Sequence, residues 1–210
     1  VQAIRPGAVN WMTAGRGVVH SERTPEPERS SGHRMHGIQF WVGLPQADAE
    51  IEPSFSHHPL EALPEWSSED GRVQGRLVAG AAFGLQSPVP VHSRLFCIDT
   101  NLAAGAELQV PVDYPERAIQ VVDGEIEVDG AVFSMHQMCV LQAGGPARIR
   151  ARGPARIVVF GGDPLDGPRF IWWNFVASSR ERIDRAGEDW KRGRFEEVPG
   201  ETEFIPLPER

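Results

Sequence analysis

Short apolar runs of period two dominate the second half of the chain. Leu95-Phe96-Cys97-Ile98, Ala118-Ile119-Gln120-Val121-Val122, Ala131-Val132-Phe133 and Ile157-Val158-Val159-Phe160 each have the length and composition of a strand. Leu102 to Val112 adds a glycine turn and a further strand. In Glu125-Ile126-Glu127-Val128 the glutamates alternate with apolar residues, which predicts one buried face and one wet face. Asp123-Gly124 and Asp129-Gly130 fall between such runs, and this dipeptide is the strongest short-range hairpin signal. Arg148, Arg150 and Arg152 share a parity and read as the solvated face of another strand. At least six short strands with tight turns, within about 70 residues, predict an antiparallel barrel or sandwich.

The rest of the chain is less regular. Residues 1–22 read as a strand, the turn Pro6-Gly7, and a loop in which Gly15 and Gly17 bracket Arg16 before a second strand carrying His20. Residues 23–32 form a polar stretch of Pro, Glu and Ser with no core-facing pattern. His36 to Leu44 is aromatic and β-branched and predicts a strand stopped by Pro45. From Ala47 to Ser68 three prolines predict an extended excursion with a single short helical turn, His57-His58 lying in a solvated turn. Arg72 to Gly84 returns to strand character, and Ser87-Pro88-Val89-Pro90-Val91 reads as a stiff link. Near the end, Phe170 to Val176 is too apolar to stand exposed. Ser178-x-x-Glu181 then reads as a capping box opening one helix, with Ile183, Ala186 and Trp190 on its inner face and Gly193 as its C-terminal cap. These patterns divide the chain into 1–90, 91–165 and 166–210.

Composition narrows the class. The chain is 40% apolar and 24% charged, ordinary for a soluble globular protein, and 22 Gly with 18 Pro suit many strands joined by turns. No apolar run approaches the length of a membrane span, and Val1 to Pro6 lacks the layout of a signal peptide. The net charge of −8 argues against direct contact with nucleic acid. Cys97 and Cys139, both in apolar strand-like settings, predict buried reduced thiols and a cytoplasmic protein.

The candidate chemistry is His20-x-Glu22. On a strand the two side chains share a face, with Cα atoms about 6–7 Å apart, so one metal ion can sit between them. Nitrogen and oxygen donors together suit iron, manganese, nickel or zinc. The other reading of the pair is a satisfied polar contact. His33, His36, His57, His58, His92 and His136 are the remaining imidazoles. Trp11 and Met12 read either as an apolar wall for a flat aromatic substrate or as barrel core.

Three separated blocks carry a family resemblance. They are Pro6-Gly7-x-Val9-x-Trp11-Met12-Thr13-Ala14-Gly15-x-Gly17-x-x-His20-Ser21-Glu22, then His36-Gly37-x-Gln39-x-Trp41-Val42-x-Leu44-Pro45, and finally Pro164-Leu165-Asp166-Gly167-Pro168-Arg169-Phe170-Ile171-Trp172-Trp173-Asn174-Phe175-Val176 with Phe204-Ile205-Pro206-Leu207-Pro208. Together they resemble the pirin family. The resemblance implies an all-β bicupin of the cupin superfamily, two antiparallel barrels or jelly rolls with one C-terminal helix. Residues 1–90 would be the later part of a first, metal-binding barrel, incomplete in this chain. Residues 91–165 would be a second barrel without metal, and the tail from 166 would cross back onto the first. The resemblance further implies one Fe(II), or another divalent first-row ion, per chain, with His20 and Glu22 as ligands. Two more histidines would come from an upstream His-x-His segment not in this chain, within roughly 60–90 additional residues. His36 would orient a ligand or line the pocket. Gly43 stands where asparagine is common in relatives. The implied activity is of the quercetin 2,3-dioxygenase type, opening a flavonol with dioxygen and releasing carbon monoxide, with Glu22 as catalytic base. The alternative is a non-enzymatic, metal-bearing regulator that binds a transcription factor or a metabolic enzyme. Neither reading involves a membrane.

Overall fold

The apolar face of each alternating run has to leave water, and in the second half of the chain it does so by closing two antiparallel sheets over one core. The structure, a computed structural model, describes residues 1–32 and 34–209, so His33 lies outside the described residues. Two units emerge: residues 1–12 with 55–164, and residues 13–54 with the chain from Leu165 onward.

In the first unit β1 (Val9–Thr13) pairs with β2 (Ser54–His58). β3 (Glu65–Ser67) and β4 (Val73–Ala82) form a hairpin, and β5 (Leu85–Gln86) folds back on the end of β4. Eight strands follow: β6 (Leu95–Leu102), β7 (Glu107–Gln109), β8 (Glu116–Asp123), β9 (Glu125–Val128), β10 (Ala131–Ser134), β11 (Met138–Val140), β12 (Arg148–Ala151) and β13 (Ala155–Gly162). One sheet runs β11-β8-β13-β6-β4-β3 with β5 on its margin, and the other runs β10-β9-β12-β7. Their inner faces meet through Phe96, Ile98, Ile119, Val121, Ile126, Ile149, Ile157 and Val159, all fully buried. Each such side chain contributes roughly 1.5–3 kcal/mol by leaving water. A second cluster forms on the outer face of the larger sheet. There Ala79, Cys97, Val122 and Val158 are covered by Leu63, Val89, Val9 and Trp11.

Most of the alternating pattern reads as expected. Arg148, Arg150 and Arg152 are exposed, with Glu107 and Glu125 paired to the first and last. Cys97 and Cys139 are buried free thiols. Asp129-Gly130 is a two-residue hairpin turn with φ of 48° and 84°, joining Val128 to its partner Ala131. Asp123-Gly124 is not a hairpin turn. The strands on either side of it lie in different sheets, so the dipeptide is the corner where the chain leaves one sheet for the other. The excursion from Ala47 to Ser68 holds more structure than expected. It carries 3-10 turns at Gln46–Asp48 and Leu60–Ala62 as well as β2 and β3, and His57-His58 ends β2 rather than a loop. The Ser87–Val91 link is packed down: Ser87 and Val89 are buried, and the Ser87 hydroxyl donates to the Val78 carbonyl.

The second unit has little regular structure: α1 (Glu26–Ser31), the hairpin of β14 (Phe170–Trp172) and β15 (Phe175–Ala177), and α2 (Arg180–Lys191). α1 falls within the expected polar loop and buries no residue. The apolar run at Phe170 to Val176 packs through its aromatic rings only, and Ile171 and Val176 stand 66% and 44% exposed. Trp173 meets Phe175 and Trp190 edge-on at 5.3 and 5.1 Å, and Phe195 stacks on Phe175. The helix starts one residue later than the capping box suggests: Ser179, not Ser178, accepts the Arg182 N–H. Ile183 and Ala186 are buried, and Gly193, at φ 61°, follows the last turn.

Two expected strands are not formed. Neither the His20 segment nor His36 to Leu44 joins a β-ladder among the described residues, and Ile38, Trp41 and Val42 are 46%, 51% and 45% exposed. A strand is a pairing, and β-rich composition without a neighbouring ladder leaves an extended chain.

Candidate metal site

The loop that delivers His20 is built by two glycines. Gly15 has φ 50°, and the Arg16 N–H donates to the Ile51 carbonyl at 3.0 Å. The backbone runs so close there that a Cβ on Gly15 would sit 2.1 Å from that same oxygen. Gly17, at φ 134°, lies under the Phe195 ring, which a Cβ would meet at 2.9 Å. From the other direction Arg182 of α2 donates to the Arg16 carbonyl at 2.8 Å while its guanidinium pairs with Glu50. Arg16 itself pairs with Glu52.

Downstream, alternate residues are held. The Ser21 hydroxyl donates to Glu201 Oε1 at 2.7 Å. Arg23 forks onto the same carboxylate, Nε to Oε1 at 3.0 Å and Nη2 to Oε2 at 2.6 Å, and reaches Glu203 at 2.8 Å. Arg23, and after it Ser21, holds the Glu201 carboxyl down at about 2, and the two glutamates raise Arg23 in turn. Glu22, between these gripped residues, and His20, directly before them, are exposed, and neither bonds to another described residue. An imidazole nitrogen and a carboxylate with uncommitted lone pairs suit a borderline divalent ion. They are two donors only: among the described residues no three or more His, Cys, Asp or Glu side chains come together as a metal site.

The other expected site residues are dispersed. Trp11 and Met12 lie on β1 in the first unit, Trp11 packed on the outer sheet cluster and Met12 on the opposite, exposed side. His36 is exposed in the second unit, outside any strand. His57 Nδ1 lies 2.7 Å from Asn10 Oδ1 across the β1–β2 pair, and His58 Nε2 lies 3.0 Å from Ser56 Oγ. Glu201 and Phe195, which shape the loop, carry no sequence signal that ties them to it.

The first 42 residues match the pirin family description, and residues 97–196 match that of the pirin C-terminal cupin domain. A pirin-like protein of Caulobacter vibrioides is 48% identical over 98% of this chain and 71% of its own length. A Pseudomonas aeruginosa protein provisionally named a quercetin 2,3-dioxygenase is 36% identical over 92% of this chain, which spans 59% of that relative. Among solved structures, a quercetin 2,3-dioxygenase of Acinetobacter baumannii superposes with a TM-score of 0.89 at 30% identity, covering 100% of this chain and 69% of the other.

Proposed function

This chain belongs to the pirin family, with an all-β cupin fold and one main C-terminal helix, and from that premise we propose that it serves a metal-dependent dioxygenase acting on a flavonol such as quercetin. One observation carries the reading: His20 and Glu22, in the segment that matches the family, have no bonding partner among the described residues, while Ser21 and Arg23 are held. His20, by an imidazole nitrogen, and Glu22, by a carboxylate oxygen, would hold one Fe(II) or another divalent first-row ion. Two donors fall short of the three or four that catalytic metal sites use, so further ligands would have to join them. When bound, the ion supplies Lewis acidity toward the flavonol oxygens and redox capacity toward dioxygen. Glu22 accepts the proton of the flavonol hydroxyl, which requires its free oxygen within about 3 Å of that group. The likeness to proteins named as quercetin dioxygenases supports a small aromatic substrate.

The test is reconstitution of the full-length, metal-free protein with Fe(II) under anaerobic conditions, followed by quercetin and oxygen. Loss of the flavonol absorption band with release of carbon monoxide is expected, and His20→Ala and Glu22→Gln should each abolish it. No metal-dependent loss above the buffer rate would refute the assignment. A regulatory reading draws on the net charge of −8, which suits a protein partner better than DNA. Partner capture that requires Glu22 yet ignores flavonol and oxygen would favour it.

A further inference from the structure

What holds Ser21 and Arg23 also decides where His20 and Glu22 sit. Ser21 and Arg23 are two residues apart and both bond to the one carboxylate. Glu22 lies between these two residues and His20 directly precedes Ser21, so the hold on one carboxylate fixes the stretch of backbone on which both sit. Glu201 can act as a fixed point because the tail is docked on both sides of it. Upstream, Phe195 stacks on Phe175 and lies against Gly17. Downstream, the Trp190 indole donates to the Ile205 carbonyl at 2.8 Å. Between them a turn at Val198–Glu201, closed by the Glu201 N–H to Val198 carbonyl bond at 3.0 Å with Gly200 at φ 84°, presents the glutamate.

We propose that Glu201 is a positioning residue for the metal pair: by gripping Ser21 and Arg23 it presents His20 and Glu22 jointly, before any ion binds. The inference rests on the reading of His20 and Glu22 as ligands. Without the grip, the segment would have to be ordered at the moment of binding, and that ordering would subtract from affinity. Partners one bond removed from a metal ligand typically change metal affinity about 10–100-fold when lost. Glu201 acts through the backbone of a neighbouring residue, so the lower end of that range is expected.

Co(II) is the probe, since its visible d–d bands report ligand geometry directly. Full-length metal-free wild type, Glu201→Gln, Ser21→Ala, the double variant and His20→Ala are titrated against a competing chelator. A glutamine keeps the size of Glu201 but cannot accept from the Ser21 hydroxyl and the Arg23 fork together. Glu201→Gln is expected to weaken Co(II) binding about tenfold and to shift the d–d bands, with the metal-free melting temperature little changed. Ser21→Ala should move both readouts in the same direction by less. The double variant should bind no more weakly than Glu201→Gln alone, because both changes act through one carboxylate. If Glu201→Gln perturbs folding, Ser21→Ala, which removes a single exposed hydroxyl, carries the test. Wild-type affinity and spectrum in both single variants would overturn the proposal while leaving the ligand assignment standing. Equal Co(II) binding by wild type and His20→Ala would overturn the ligand assignment itself.

Discussion

Raising the pH should weaken this fold through one thiol. Cys97 lies on β6 in the outer cluster with Ala79, Val122 and Val158, and burial, with Asp99 adding to it, pushes its thiol up to about 12. In the unfolded chain the same group titrates near 9.0. A group whose folded value is raised contributes its full stability below the unfolded value, and that contribution is lost as the pH climbs toward the folded one. Inside the window from 9 to 12 stability therefore falls steadily, and at about pH 11 the native state has given up roughly 2–3 kcal/mol relative to pH 8. Urea unfolding of wild type and Cys97→Ala, followed by tryptophan fluorescence at about pH 8, 9.5 and 11, isolates this effect. Burial also raises Tyr114 and Cys139, but both remain in the variant, so their contributions cancel in the difference. Wild type should lead at low pH, where the alanine leaves a small void, and the lead should shrink by roughly 2–3 kcal/mol at the top of the range. A gap that stays constant across the series would refute the argument. So would a native Cys97 that reacts with a thiol reagent as fast as a free cysteine.

Two further comparisons test the local geometry. Gly130→Ala places a side chain at φ 84° with nothing within 4 Å, so it should cost only the left-handed penalty of about 1–2 kcal/mol. Gly15→Ala adds overlap with the Ile51 carbonyl and should exceed that by more than about 1 kcal/mol in denaturant titrations of the same protein; equal costs would contradict the close approach. At α2, Ser179→Ala should lower stability by about 1 kcal/mol, whereas Ser178→Ala should stay within about 0.5 kcal/mol, both read from thermal unfolding by circular dichroism. The reverse order would restore Ser178 as the cap.

The strands of the two packed sheets are legible because burial on one face writes itself into the chain every second residue, as at Ile119, Val121, Ile157 and Val159. What is local in the sequence but non-local in the fold is harder to read. Asp123-Gly124 has the same local signature as Asp129-Gly130, yet only the second joins strands of one sheet, and no residue near the first says which sheet comes next. Ser178 and Ser179 are adjacent, and Glu181 fits a capping box with the former. The bond to the Arg182 N–H decides for the latter. His20 and Glu22 stand out because a long patterned block surrounds them. Glu201 does not, since it meets Ser21 across 180 residues, and an acidic residue in a charged tail gives no hint of such a contact.

The exposed run Ile38-Gln39-Phe40-Trp41-Val42 has a consequence for the molecule in bulk. It combines aromatic and β-branched residues with no charge and no proline, and it lies outside every sheet among the described residues. Segments of this type add readily to one another as stacked strands. Such a run favours association as the concentration rises, through itself rather than through the well-packed sheets. Trp41, half exposed in the single molecule, would pass into a dry interface, so a blue shift of its emission should announce the first oligomers before any turbidity appears.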